Sequence, residues 1–158
     1  MKWKVKATDP PKAKKPYTAK VLWALAAVVL GMALLHLVRI DNLIPVIEQT
    51  LGEIGAPWFV AVVVIVEVFS LPYLLQMKLS PLFRIMSGLF VVLAPLMWTC
   101  LVIWAYGNDH STGQLSSYVS LVSSWWLVAL NLAWLGVGYW VLWLSNFDKC
   151  FAALRKKD

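Results

Sequence analysis

Apolar residues in this chain fall in four long runs, at about 21–38, 58–77, 85–106 and 125–144, separated by short polar stretches. Each run holds roughly 18 to 22 residues, enough at 1.5 Å per residue to cross a hydrocarbon core of about 30 Å. The pattern predicts an all-α polytopic membrane protein, a bundle of four transmembrane helices.

The segments between the runs carry their own signals. In "IDNLIPVIEQTLGEIGAP", Leu43, Ile44, Ile47, Leu51 and Ile54 recur at helical spacing while Glu48, Gln49 and Glu53 fall off that stripe. Pro45 suits the first turn of a helix and Gly55 with Pro57 its end. A short outer amphipathic helix is expected, either lying on the outer face or capping the mouth of the bundle. The turn "QMKLSP" is short enough to make spans two and three antiparallel neighbours, with Ser80 as N-cap and Pro81 as first helical residue of span three. The third connection, "GNDHSTGQLSSYVSLVSS", reads as an exposed loop whose later part, from Ser116, can begin the fourth helix. The chain thus divides into a basic tail at 1–20, a transmembrane domain at 21–145 and a second basic tail at 146–158. "DPPKAKKP" has no apolar period, so the first tail is expected to be mobile or lipid-associated.

Composition agrees with the pattern: 61% of the 158 residues are hydrophobic and 14% charged, against about a quarter charged in a soluble domain. Charge adds an orientation. Of fourteen Lys and Arg residues, only Arg39 falls in the first or third connection. The others precede span one, flank the second turn at Lys78 and Arg84, or follow span four, so the positive-inside rule puts both termini in the cytoplasm. The net charge of +6 is therefore juxtamembrane, suited to orienting helices and meeting anionic lipid, and it does not point to nucleic acid. The first run ends in "HLVR" without a small-residue cleavage pattern and reads as a retained helix.

Aromatic residues mark two interfaces. Trp58, Trp104, Tyr106, Tyr118, Trp125 and Trp126 fall at the outer level, and Trp23, Tyr73, Tyr139, Trp140 and Trp143 at the inner one. Cys100 and Cys150 lie near opposite ends of the membrane, too far apart to bridge, and Cys100 reads as a small packing residue.

Glu67 is the most informative position. Counted from Trp58, it lies about 13 Å into the membrane, where an ionised carboxylate costs several kcal/mol unless it is protonated, paired or hydrated. His36 and Arg39 share a face at the outer end of span one. The vertical gap from His36 to Glu67 is on the order of 7 Å, within reach of extended side chains. Glu67 with His36 or Arg39 is accordingly the candidate ligand-binding or proton-binding site; the competing reading is a structural hydrogen bond that fixes two helices in register, with Arg39 snorkelling. Pro72 and Pro95 free the carbonyls of Val68 and Val91, giving either curvature for packing or polar groups facing the same cavity. Asn131 and Thr99 are candidates for hydrogen bonds across helices, and Ala27, Gly31, Gly136 and Gly138 for close helix approach.

No catalytic motif is found: there is no phosphate-binding glycine loop, nucleophile elbow or zinc-protease helix. His36 is the only His within a run, and the Asp109–His110 pair lacks further ligands, so neither haem nor a metal is expected.

The order of parts resembles the DoxX-like family of small four-helix bacterial membrane proteins. The residues that carry the resemblance are "LGMALLHLVRIDNL", "LGEIGAPWFVAVVVIVEVFSLPYLL" and "RIMSGLFVVLAPLMW", with the Gly55-Ala56-Pro57 entry to span two and Glu67 within it as the most specific elements. The resemblance covers about residues 20 to 105. It implies a bacterial inner-membrane location and a link to redox processes with quinone as acceptor, mostly as a small subunit or partner. Two functional expectations follow. The chain is a non-catalytic membrane subunit that binds another membrane protein, a second copy of itself or lipid. Alternatively, it binds a quinone-like or protonatable small molecule in an outward-facing pocket of Glu67, His36 and Arg39, as a redox subunit or transporter.

Overall fold

The computed structural model describes residues 7–108 and 125–155. The helices are α1 (Thr18–Val38), α2 (Ile40–Leu74), α3 (Pro81–Gly107), α4 (Trp125–Leu144) and α5 (Asp148–Arg155). The first four are long and apolar enough to cross a membrane, and no strand occurs among the described residues. The protein is an all-α, four-helix membrane bundle. The third connection from Asp109 onward, with His110, Ser116 and Tyr118, lies outside the described residues, as do Lys2, Lys4, Lys6, Lys156 and Lys157.

Successive helices pack side by side: α1 on α2, α2 on α3, α3 on α4. The circuit closes through sparser contacts between α1 and α4. The chain enters α1 and leaves α4 at one end of the bundle, here the basic end. There Leu22, Leu25, Ala26 and Val29 of α1 form a core with Tyr73, Leu74, Val91, Val141 and Leu142. A second core at the opposite end joins Leu43 and Ile47 to Ala56, Val60, Val63, Trp98 and Leu101. The amphipathic segment before span two therefore caps this end of the bundle and does not lie flat on a surface.

That segment ends earlier than its sequence suggests. The helix is broken at Gly52, with φ 75° and ψ 168°, a conformation that only glycine adopts readily. Gly55 and Pro57, the expected terminators, lie inside the next helical stretch. Leu51 and Ile54, at and beyond the break, are exposed, whereas Leu43 and Ile47 are buried.

Span two contains a further proline, Pro72, inside its helix. A proline cannot donate to residue 68 and crowds that carbonyl, opening the turn around it. Ser87 of α3 fills the opening: its hydroxyl accepts from the Tyr73 N–H at 3.0 Å and donates to the Phe69 C=O at 2.6 Å. These are the two groups a helix would pair directly, so the serine substitutes for one backbone bond and joins two helices. At Pro95 the freed Val91 carbonyl lies against Gly138, where an added Cβ would sit 3.2 Å from the oxygen. Gly138 thus allows the close approach expected of it. Gly31 and Gly136 face open space, and Ala27 is exposed, because these positions point out of the bundle.

The basic end holds the largest departures from the sequence reading. The N-terminal segment from residue 7 packs across the helix ends. Arg84 is 5% exposed and donates through Nη1 to Thr8 Oγ1 at 3.0 Å and the Asp9 carbonyl at 2.9 Å, and through Nη2 to the Thr8 carbonyl. Farther along, Asn146 Nδ2 donates to the Lys12 carbonyl at 2.7 Å, the Lys14 N–H donates to the Leu144 carbonyl, and Lys14 Nζ sits 4.0 Å over the Trp143 ring. Fixed acceptors of the tail satisfy a guanidinium that would otherwise be buried unpaired, so the described part of the tail is docked. Residues 148–155 form α5, a short helix absent from the sequence reading, seated by Phe147 against Tyr73 and Phe151. Tyr73, placed by sequence in the inner aromatic belt, is buried and pairs its hydroxyl with Ser145 Oγ. Cys100, expected in the packing, is exposed, while Cys150 is buried.

Three outcomes test this description. Ser87→Ala strands the Tyr73 N–H and the Phe69 carbonyl, and should lower stability by about 1–3 kcal/mol, measured as a fall in unfolding temperature in mild detergent. Gly52→Ala should also destabilise, although its side chain would meet open space, because the penalty lies in the backbone. Burial pushes the Cys150 thiol up from its ordinary value, against the opposing pull of Arg84. Its thiolate form is scarce at neutral pH, so maleimide should modify Cys150 slowly until the protein is unfolded.

Candidate functional site

Between the two cores the bundle carries its buried acid. Glu67 faces inward from α2 on the stripe formed by Val60, Val63, Val66 and Ser70, all buried. His36 arrives from the last turn of α1. Its Nδ1 lies 3.0 Å from Glu67 Oε2, and both residues are 4% exposed. The His36 ring packs on the indole of Trp98 from α3, with centroids 5.1 Å apart, and Phe59 meets the same indole edge-on.

The sequence named three residues for this site, and the structure joins His36 to Glu67. Arg39 occupies the single-residue break between α1 and α2, where its φ of −114° ends one helix and begins the next. Trp98 was missed. Its signal was available, since a tryptophan nine residues before the C-terminus of a membrane helix is too deep for an interfacial belt.

Beside the pair is a cavity of about 140 Å³, walled by all four spanning helices: Val29 and Met32; Glu67 and Ser70; Phe90 to Trp98; and Leu130, Asn131 and Trp134. This volume is similar to that of engineered apolar cavities that accept benzene. Most of the wall is hydrocarbon and aromatic ring, with Glu67, Ser70 and Asn131 as its polar points. Ser70 Oγ donates to the Glu67 carbonyl at 2.7 Å, and Asn131 Nδ2 donates to the Leu127 carbonyl at 2.8 Å. Thr99, expected to bond across helices, donates to Pro95 of its own helix at 2.6 Å. There it satisfies a carbonyl one turn back instead of gluing two helices together.

Two ring nitrogens here have no hydrogen-bond partner among the described residues: His36 Nε2 and Trp98 Nε1. The indole nitrogen is always a donor. The imidazole nitrogen donates or accepts according to its tautomer. Trp98 therefore brings a buried N–H donor to the largely apolar cavity that it lines, at a cost of roughly 1–3 kcal/mol while unpaired. Such a site recognises an acceptor: a carbonyl, an ether oxygen or water.

No metal cluster of three or more His, Cys, Asp or Glu occurs among the described residues. Comparison with family models, with curated proteins and with solved structures yields no match to this chain.

Replacing Glu67 by Ala leaves His36 Nδ1 buried and unpaired. The expected loss is about 1–3 kcal/mol of stability, seen as a lower unfolding temperature of the detergent-solubilised protein. A double replacement, Glu67→Leu with His36→Leu, should recover much of that loss, because an apolar pair removes both desolvation costs.

Proposed function

We propose that this chain binds a small, ring-shaped molecule with a carbonyl acceptor, quinone-like in chemistry, in the cavity beside Glu67, His36 and Trp98. One observation carries the reading: Trp98, whose buried indole N–H has no partner, lines a cavity of ring size walled mostly by hydrocarbon, and the unpartnered imidazole of His36 packs on that indole. A purely structural Glu67–His36 bond accounts for the pairing but not for the cavity or the orphan indole donor. The resemblance to the DoxX-like family supports the same ligand class. It also suggests a role within a redox-linked complex of a bacterial inner membrane, with Glu67 and His36 holding an exchangeable proton next to the ligand oxygen. Both termini would then face the cytoplasm, on the strength of the charge asymmetry.

The test is calorimetric titration of the reconstituted protein with a fully substituted benzoquinone, which cannot alkylate cysteine. Saturable binding is expected, and Trp98→Phe should weaken it about five- to tenfold, equivalent to roughly 1–1.4 kcal/mol for one hydrogen bond. Failure to saturate, or an affinity indifferent to both Trp98→Phe and His36→Phe, would sink the reading.

A non-catalytic subunit role is the second reading, favoured by the exposed Trp125, Trp126, Tyr139, Trp140 and Trp143 of α4. Gentle solubilisation would then recover a partner, or a second copy, in fixed ratio.

A further inference from the structure

The cavity has a sidewall that differs from the rest. Its α1 and α4 walls, Met32 on one side and Leu130 and Trp134 on the other, flank the seam where the spanning helices meet most sparsely. That seam is closed at the basic end, where Leu22, Leu25 and Ala26 pack with Val141 and Leu142. Nearer the opposite end the cavity-lining residues on both helices are solvent-accessible. Leu130 both lines the cavity and is 51% exposed, while Met32 and Trp134 are part-exposed, so the cavity reaches the flank of the bundle there. The mouth on the bundle axis is instead stoppered by Leu43 and Ile47, buried against Val60, Trp98 and Leu101.

Depth decides what meets this flank. Met32 is six residues from the end of α1 at Val38, and Asn131 six from the start of α4 at Trp125, about 9 Å along each axis from the same end of the bundle. Within a core about 30 Å thick, that level belongs to acyl chains and not to headgroups or water. The rim residues Met32, Leu130 and Trp134 match it in polarity.

We propose that the ligand is a membrane-dissolved amphiphile that enters sideways from the acyl-chain region through the gap between α1 and α4. Its polar ring rests by Glu67 and Trp98, and its apolar tail lies in the gap. The inference rests on the binding reading above and adds to it the phase from which the ligand comes and the route it takes. An apolar tail too large for a cavity of about 140 Å³ has an exit at Leu130, and the polar ring reaches the Trp98 indole without crossing the stopper of Leu43 and Ile47.

Two probes separate the layers of this argument: a fully substituted benzoquinone without a tail, and the same ring with a ten-carbon tail ending in a diazirine. Both are applied to protein in phospholipid vesicles. Illumination should place adducts on Met32, Leu130 or Trp134. Leu130→Trp, which adds bulk where the cavity wall meets the flank, should weaken the tailed probe at least tenfold and the tailless one clearly less, because only the tail has to lie between α1 and α4. Adducts confined to Leu43 or Ile47, or equal effects of Leu130→Trp on both probes, would overturn lateral entry while leaving the cavity reading intact. Binding of neither probe would overturn both.

Discussion

In a hydrocarbon interior a polar group finds its partner within the protein or goes without, and that constraint organises this bundle more than apolar burial does. Apolar side chains are as comfortable in lipid as in a core, so they hold membrane helices together only through close packing. The features that fix how these helices meet are polar repairs. Ser87 replaces the helix bond opened at Pro72, and Gly138 lets α4 close over the carbonyl freed at Pro95. His36 answers Glu67 across α1 and α2. At the basic end Arg84 is met by the carbonyls of Thr8 and Asp9.

Four buried side-chain atoms among the described residues have no partner: the hydroxyls of Thr18 and Thr50, His36 Nε2 and Trp98 Nε1. Of these residues Trp98 lines the cavity, with the His36 ring packed against its indole. The indole N–H of Trp98 thus stays unpaired at a cost that Ser87 spares the backbone around Pro72. The cavity has a matching polarity: Glu67, Ser70, Asn131 and the Trp98 indole as polar points, hydrocarbon over most of the remainder, and a rim at acyl-chain depth.

Much of the architecture was legible in the chain. Span number, their approximate limits and the shared end of the two termini follow from run length and charge placement, which act locally and need no knowledge of neighbours. The pairing of His36 with Glu67 was legible too, because both are rare polar residues at nearby depths, and depth can be counted along a helix. Choosing His36 over Arg39 required the fold. The break at Arg39 sets that residue between two helices, while His36 remains on the buried face of α1.

What the sequence determined by itself is therefore the class of the molecule: four membrane-crossing helices, a carboxyl among them and basic ends gathered on one side. These follow from one-dimensional sums of hydropathy, charge and rise. Tertiary structure alone decided which groups meet. It placed Trp98 on His36, turned Thr99 back on its own helix, docked the tail on Arg84 and left α1 and α4 in sparse contact. Each of these depends on helix rotation and tilt, which arise from packing between segments far apart in the chain and leave no periodic trace in the sequence.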